Sequence, residues 1–317
     1  MRAKSQAQPN IALIKYWGKS DLARNLPAVG SISITLDDLY TMMCVESDAS
    51  LAADVLMING REDVALLPRV SRCLDAVLGG DREPLRVQSE YNFPMAAGLA
   101  SSASAFAALV VAADAAAGTG RATAELASLA GAASGSAARS LYGGFVELEN
   151  TGDDVAVSSI CGASEWPLRV VAAITELGPK SVGSTEAMEI SRKTSPFYSR
   201  WIEQQAGDLA VAREAIESRD FRTLATVAEH NCLKMHSVMW ASRPPLSYWN
   251  SATLECMETV RGLQAKGVDV FFTIDAGPQV KAVCTPEAEE QVAEALRSTA
   301  GVKEILQSGL GEGARAL

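Results

Sequence analysis

The sequence predicts an α+β fold built from two layered units, and three observations carry that prediction. Short alternating, strand-like stretches are interleaved with Ala-rich helical stretches. The pattern restarts on a fresh apolar strand just after Trp166-Pro167. The connections between strands are short, which favours antiparallel pairing over crossovers.

In chain order, residues 11–16 and 31–35 are β-like, the latter alternating Ser-Ile-Ser-Ile-Thr. Residues 41–46 and 55–58 continue the pattern, Asn59-Gly60 is a two-residue hairpin signal, and residues 85–89 form a further strand. From Ser101 to Ala113 the chain is apolar all round, which describes a helix buried on most sides, ended by Gly118 and Gly120. A second helix covers about 123–132, and Ser134-Gly135-Ser136 leads into a short helix carrying Arg139. Tyr142-Gly143-Gly144 then turns the chain into a strand at 145–149. Residues 168–174 open the second unit, giving domains 1–165 and 166–317. Helices follow at about 196–218, 220–239 and 248–266. Strands at 268–274 and 280–284 flank the turn Asp275-Ala276-Gly277-Pro278-Gln279. A last helix covers 286–298, with Pro286 in its first turn.

The composition narrows the function classes. The chain has 317 residues, 48% apolar and 21% charged, which excludes a disordered or collagen-like polymer. A net charge of −10 argues against nucleic acid as the main partner. No uncharged apolar run reaches the ~18 residues of a membrane span. The opening MRAKSQAQPN lacks an apolar stretch and is not expected to be a signal peptide. The six cysteines are scattered without a CxxC pair, so the usual zinc and redox patterns are missing, and reduced thiols in a cytoplasm are expected.

Four segments carry candidate chemistry. In Lys15-Tyr16-Trp17-Gly18-Lys19 two cations end a strand and could hold phosphate oxygens, or could be solvated tips beside an aromatic pair. In residues 94–103 a glycine-containing turn feeds a helix start, where unpaired N–H groups attract an anion; an ordinary serine cap reads equally well. In Ser134-Gly135-Ser136-Ala137-Ala138-Arg139 small residues let backbone approach a ligand, and Arg139 offers a planar fork for a carboxylate or phosphate, unless a surface acid holds it. Asp275 closes an apolar strand, where it can accept or orient a hydroxyl proton, or serve only as a turn residue. The tail Gly309-Leu310-Gly311-Glu312-Gly313 precedes no helix and does not fit a dinucleotide fingerprint. His230 and His236 do not share a helix face and fit no metal or triad spacing, so ordinary core or surface roles are expected.

Taken together, residues 10–19, 92–103, 134–145 and 275–278, with Leu26-Pro27 and residues 31–36, resemble the diphosphomevalonate decarboxylase family of the GHMP kinase superfamily over nearly the whole chain. The resemblance implies a GHMP-kinase-like two-domain fold, with a ribosomal-S5-like amino-terminal domain, a ferredoxin-like carboxy-terminal domain and an active site in the cleft between them. It implies ATP- and Mg²⁺-dependent phosphorylation of the 3-hydroxyl of mevalonate 5-diphosphate, then loss of phosphate and CO₂ to give isopentenyl diphosphate. A mevalonate 5-phosphate decarboxylase and a mevalonate 3-kinase that does not decarboxylate are the alternatives. A homodimer is implied, with no nucleic-acid or membrane partner.

By matching positions the resemblance makes Asp275 the catalytic aspartate that takes or orients the 3-hydroxyl proton, Arg139 the holder of the substrate carboxylate, Asn10 its orienting partner and Lys15 a cation near the transferring phosphoryl group. Tyr16, Lys19, Ser134, Ser136 and Met188 fall on the substrate side. Ser101, Ser102, Gly98, Ala100, Arg69, Ser89 and Asn92 fall on the nucleotide side, with Ser102 also a contact for the nucleotide's Mg²⁺. The chain departs from the family pattern at Met95, Val29, Gly30, Ala133 and Gln279.

Overall fold

The computed structural model describes residues 1–93, 101–178 and 181–317. Its fold is α+β, organised on three main sheets. The first has the spatial order Arg315–Ala316, Arg2–Ala7, Thr41–Ser47, Leu85–Tyr91, Val55–Ile58, Arg61–Glu62. Its pairings are antiparallel except that of Val55–Ile58 with Leu85–Tyr91. The Asn59-Gly60 turn has positive φ at both residues, the conformation a two-residue hairpin requires. The second sheet runs Val155–Cys161, Phe145–Asn150, Ser31–Thr35, Asn10–Ile14, and the third Val270–Ile274, Val280–Cys284, Arg169–Ile174, Glu304–Ser308.

The helix Ser101–Ala117 is buried continuously from Ala103 to Asp114, as its all-round apolar character predicts. It packs between the first sheet and the helices Leu67–Leu78 and Thr123–Ala133. Alanine lets those neighbours approach closely, and two polar contacts fix the sheet side: Ser5 Oγ donates to Ala108 O at 2.6 Å, and the Thr41 and Ser104 hydroxyls meet at 2.6 Å.

The second and third sheets touch through their edge strands, where Thr273 Oγ1 donates to Ala12 O at 3.2 Å. An apolar core containing Ile11, Phe145, Val170 and Phe271 spans both halves of the chain. The tail then returns to the first half. Gly311 N–H donates to Thr35 O and Leu317 N–H to Lys4 O, both at 2.9 Å. The tail glycines serve this close approach, because a Cβ at Gly311 or Gly313 would fall on the carbonyl oxygens of Leu36 and Leu141.

Candidate active site

A cleft of about 800 Å³ opens between the two halves. From the first half Asn10, Tyr16, Lys19, Arg69, Ser102, Ser134, Ser136 and Arg139 line it; from the second, Thr185, Met188 and Asp275.

Asp275 stands where the strand Val270–Ile274 ends, its side chain 27% exposed and thus open to the cleft. Its two oxygens meet different lysines: Lys15 Nζ at 2.6 Å from Oδ1 and Lys281 Nζ at 3.1 Å from Oδ2. Burial pushes the carboxyl pKa up, but the two ammonium groups outweigh it and hold the acid well below the usual carboxylate range. The group is therefore a permanent carboxylate at working pH.

Lys15 is held from several sides. Its ammonium also donates to Ala12 O at 2.8 Å. Its backbone N–H donates to Asn231 Oδ1 at 2.7 Å, and its carbonyl accepts from Gln205 Nε2 at 2.6 Å. Asn231 Nδ2 in turn donates to Gln205 Oε1 at 2.9 Å and to Asp208 Oδ2 at 2.6 Å. Two residues on, Trp201 Nε1 donates to Trp17 O at 3.0 Å. Helices Tyr198–Glu217 and Phe221–Trp240 thus fix the strand end that carries the cation.

Arg139 lies in a short 3₁₀ turn, Ala137–Leu141, and is 2% exposed. Nη1 donates to Ser31 Oγ at 2.6 Å, Nε to Ser33 Oγ at 3.0 Å, and Nη2 to Asn10 Oδ1 at 3.1 Å. The serines come from the polar face of the alternating strand Ser31–Thr35. No carboxylate pairs with Arg139 among the described residues, so the surface-acid reading is set aside. Burial lowers its pKa to about 10, the Asp275 charge working against that, so it stays cationic. Of five N–H donors three are committed, leaving one on each terminal nitrogen for an anion.

Two further cations, Lys19 and Arg69, line the cleft. Lys19 Nζ donates to Thr185 Oγ1 at 3.1 Å, and burial, then the Arg69 charge, lower its pKa. Arg69 is fixed by a bond from Nε to Ala133 O at 2.8 Å and lies 4.5 Å from the Phe106 ring centre. Gly135 leaves room for Tyr16, since a Cβ there would stand 2.9 Å from the phenol oxygen. The Ser134 and Ser102 hydroxyls approach to 3.5 Å.

Some sequence candidates lie elsewhere. Ser89 is buried among the apolar side chains of a separate small cavity with Met43 and Phe106. The Asn92 amide accepts from Tyr40 N–H at 2.7 Å and donates to Asp38 O at 2.7 Å. Ser101 begins its helix outside the cleft lining. Gly98, Ala100 and Met95 lie outside the described residues. His236 is fully buried with Nε2 3.1 Å from Ile274 O, and His230 is exposed, the ordinary roles expected of them.

Three of the departures have structural explanations. Gln279 Oε1 accepts from Thr175 N–H at 2.6 Å and its Nε2 donates to Glu176 O at 2.6 Å, stapling the Asp275 turn to the neighbouring strand end. A Cβ at Gly30 would stand 2.9 Å from Leu148 O, and Val29 packs with Trp17 and Trp201. Sequence reasoning missed Lys281, Asn231, Gln205 and Thr185. The available signal for Lys281 was its register, opposite Thr273 in the hairpin that carries Asp275.

Two family models match the chain: Diphosphomevalonate decarboxylase-like N-terminal domain over residues 7–161, and Mevalonate 5-diphosphate decarboxylase C-terminal domain over residues 170–313. The diphosphomevalonate decarboxylase mvd1 of Aspergillus fumigatus is 35% identical, over 95% of this chain and 81% of that one. The crystal structure of mevalonate diphosphate decarboxylase from Staphylococcus aureus superposes with a TM-score of 0.94 at 34% identity, covering 100% of this chain and 98% of that one. A structure of MDDEF in complex with MVAPP, AMPPCP and magnesium gives 0.93 at 34% identity, covering 100% and 99%.

Proposed function

The chain belongs to the diphosphomevalonate decarboxylase family, and from that premise we propose how its cleft carries out the reaction. The enzyme decarboxylates mevalonate 5-diphosphate to isopentenyl diphosphate, using ATP and Mg²⁺. The 3-hydroxyl is phosphorylated, and loss of that phosphate draws the carboxylate electrons inward as CO₂ departs.

Asp275 touches the 3-hydroxyl. With its pKa held low by Lys15 and Lys281 it is too weak a base to keep a proton, so it accepts a hydrogen bond and orients the oxygen for attack, and the hydroxyl proton ends on a phosphate oxygen, the stronger base. Lys15 offers its remaining N–H to the transferring phosphoryl oxygens, offsetting charge as it develops. The two unused N–H groups of Arg139 hold the substrate carboxylate, and Asn10, Ser31 and Ser33 keep the fork in plane. Lys19, Tyr16, Ser134 and Ser136 hold the diphosphate, with Met188 packed beside the substrate. Arg69 and Ser102 face the nucleotide. These cations concentrate positive potential inside the cleft of a chain whose net charge is −10.

Among the described residues no group of three or more His, Cys, Asp or Glu side chains is placed to hold a metal ion. Ser102, whose hydroxyl lines the cleft, would be the protein contact for a Mg²⁺ brought in with the nucleotide phosphates. When bound, the ion neutralises phosphate charge.

The shared cleft of Asp275 and Arg139 carries the reading. Incubation with ATP, Mg²⁺ and each mevalonate phosphate tests it. Equal ADP and CO₂, with the diphosphate preferred, is the expected result; ADP without CO₂ would make the protein a kinase.

We further propose the division into residues 1–165 and 166–317, supported by the two matched ranges and qualified by the tail that returns to the first sheet. The family resemblance supports a homodimer, which light scattering measures. Six free, buried cysteines support a reducing, cytoplasmic setting.

A further inference from the structure

Lys281 takes no direct part in the reading above. It lies on the strand Val280–Cys284, is 0% exposed, and is not among the cleft-lining residues. Its ammonium meets Asp275 Oδ2 at 3.1 Å while Lys15 meets Oδ1 at 2.6 Å, so two strands from different halves grip separate oxygens of one carboxylate. Full burial of a lysine is costly and uncommon. Anchoring the turn does not require it, because Gln279 already ties residues 275–279 to Thr175 and Glu176.

The arrangement matters once a polyanion arrives. Phosphoryl oxygens compete with Asp275 for the Lys15 ammonium, and a carboxylate held by Lys15 alone would loosen as that competition grew. Both lysines are buried, Lys15 at 1% and Lys281 at 0%, and neither lines the cleft; Lys281 differs in belonging to the hairpin that carries Asp275, so its hold on Oδ2 stays with the acid whatever approaches Lys15. No other group packed near substitutes for it: Arg139 feels the Asp275 charge but makes no hydrogen bond or ion pair with it, its two unused N–H groups being assigned above to the substrate, while burial keeps His236, lowered to about 3, and Cys232, raised, both neutral.

We propose that Lys281 is a positioning residue for phosphoryl transfer, a buried ion-pair partner that keeps Asp275 aimed at the substrate hydroxyl while Lys15 serves the transferring group. This rests on the role given to Asp275 above.

Steady-state kinetics on Lys281→Met, Lys281→Gln and Lys281→Arg, with folding checked by thermal melts, tests it. In the neutral variants kcat falls about 10- to 100-fold, the range that misplacing a reacting group produces. KM for ATP and for mevalonate 5-diphosphate stays within about threefold, because neither substrate touches Lys281. Lys281→Arg, which keeps the charge, recovers most of kcat. A folded neutral variant with wild-type kcat, a loss confined to KM, or a folded Arg variant as slow as the neutral ones overturns the inference. Should the neutral variants fail to fold, the Arg variant decides by the same criterion. Absence of turnover in the wild type overturns the functional reading itself, and this inference with it; turnover with silent Lys281 variants overturns only the inference.

Discussion

The carboxamide oxygen of Asn10 accepts from two N–H groups of Arg139, Nη2 at 3.1 Å and Nε at 3.3 Å. The same amide donates through Nδ2 to Ser136 O at 2.9 Å and Ser140 Oγ at 2.8 Å. Its orientation is thus over-determined, and it couples the Arg139 fork, to which we assign the substrate carboxylate, to the serine loop to which we assign the diphosphate. Asn10→Ala is expected to lower kcat/KM by about 100-fold through misplacement of the fork. It should also cost about 1–3 kcal/mol of stability, since a buried guanidinium loses its acceptor. Kinetics and a denaturant melt read both; near-wild-type kcat/KM would refute the orienting role.

Asp275→Asn keeps the shape and one acceptor oxygen but removes the charge between Lys15 and Lys281. Turnover should fall by at least about 100-fold, with nucleotide affinity nearly unchanged. Two buried ammonium groups then face no anion, so a stability loss of about 3–5 kcal/mol is expected. Fluorescent-nucleotide titration and a thermal melt separate the effects, and weakened nucleotide binding would contradict the assignment.

Lys19→Met should act on binding alone. The ammonium sits at the cleft edge beside Thr185 and touches none of the reacting atoms in this account. Loss of a charge-assisted contact worth about 1.5 kcal/mol raises KM for mevalonate 5-diphosphate about tenfold with kcat preserved. A fall in kcat at saturation would place Lys19 nearer the chemistry.

Burial lowers the His236 pKa from 6.5 to about 3, so the folded protein keeps the ring neutral while the unfolded chain protonates it. Between those values the unfolded state binds more protons, and stability therefore rises with pH across that window. Acidification from pH 7 should cost on the order of 4 kcal/mol from this group by pH 3. His236→Gln should flatten that part of the stability profile, measured by denaturant melts at several pH values; an unchanged slope would show that the ring titrates freely.

Where side-chain pattern and backbone preference agreed, the fold was legible. Ser31–Thr35, from its alternation, and Val55–Ile58 and Val280–Cys284, from their apolar β-like runs, appear with the boundaries expected. Arg2–Ala7 was hidden because its composition is polar; tertiary pairing with Thr41–Ser47 makes it a strand. The helix Leu67–Leu78, opened by Pro68, was overlooked among mixed residues, although its buried positions Val70, Cys73, Leu74 and Val77 follow helical spacing. Residues 286–298 divide into a 3₁₀ turn, Pro286–Ala288, and a helix, Glu289–Arg297. At the site, Asp275, Arg139 and Lys15 stood out as candidates from their motifs, and Asn10 only through the family resemblance. Lys281 did not, because a lysine in an apolar strand reads as a solvated tip until its cross-strand neighbours are known. Asn231 and Gln205 act on backbone atoms of Lys15, contacts that no spacing in the chain announces.

Asp275 and Arg139 are assigned the 3-hydroxyl and the carboxylate of one small substrate. A crystal structure of the wild-type protein with mevalonate 5-diphosphate and a non-hydrolysable nucleotide measures this directly. The account requires the substrate's 3-oxygen within hydrogen-bond distance of an Asp275 oxygen and its carboxylate on the Arg139 fork. A substrate seated with its carboxylate towards Lys19, and its 3-oxygen away from Asp275, would contradict it.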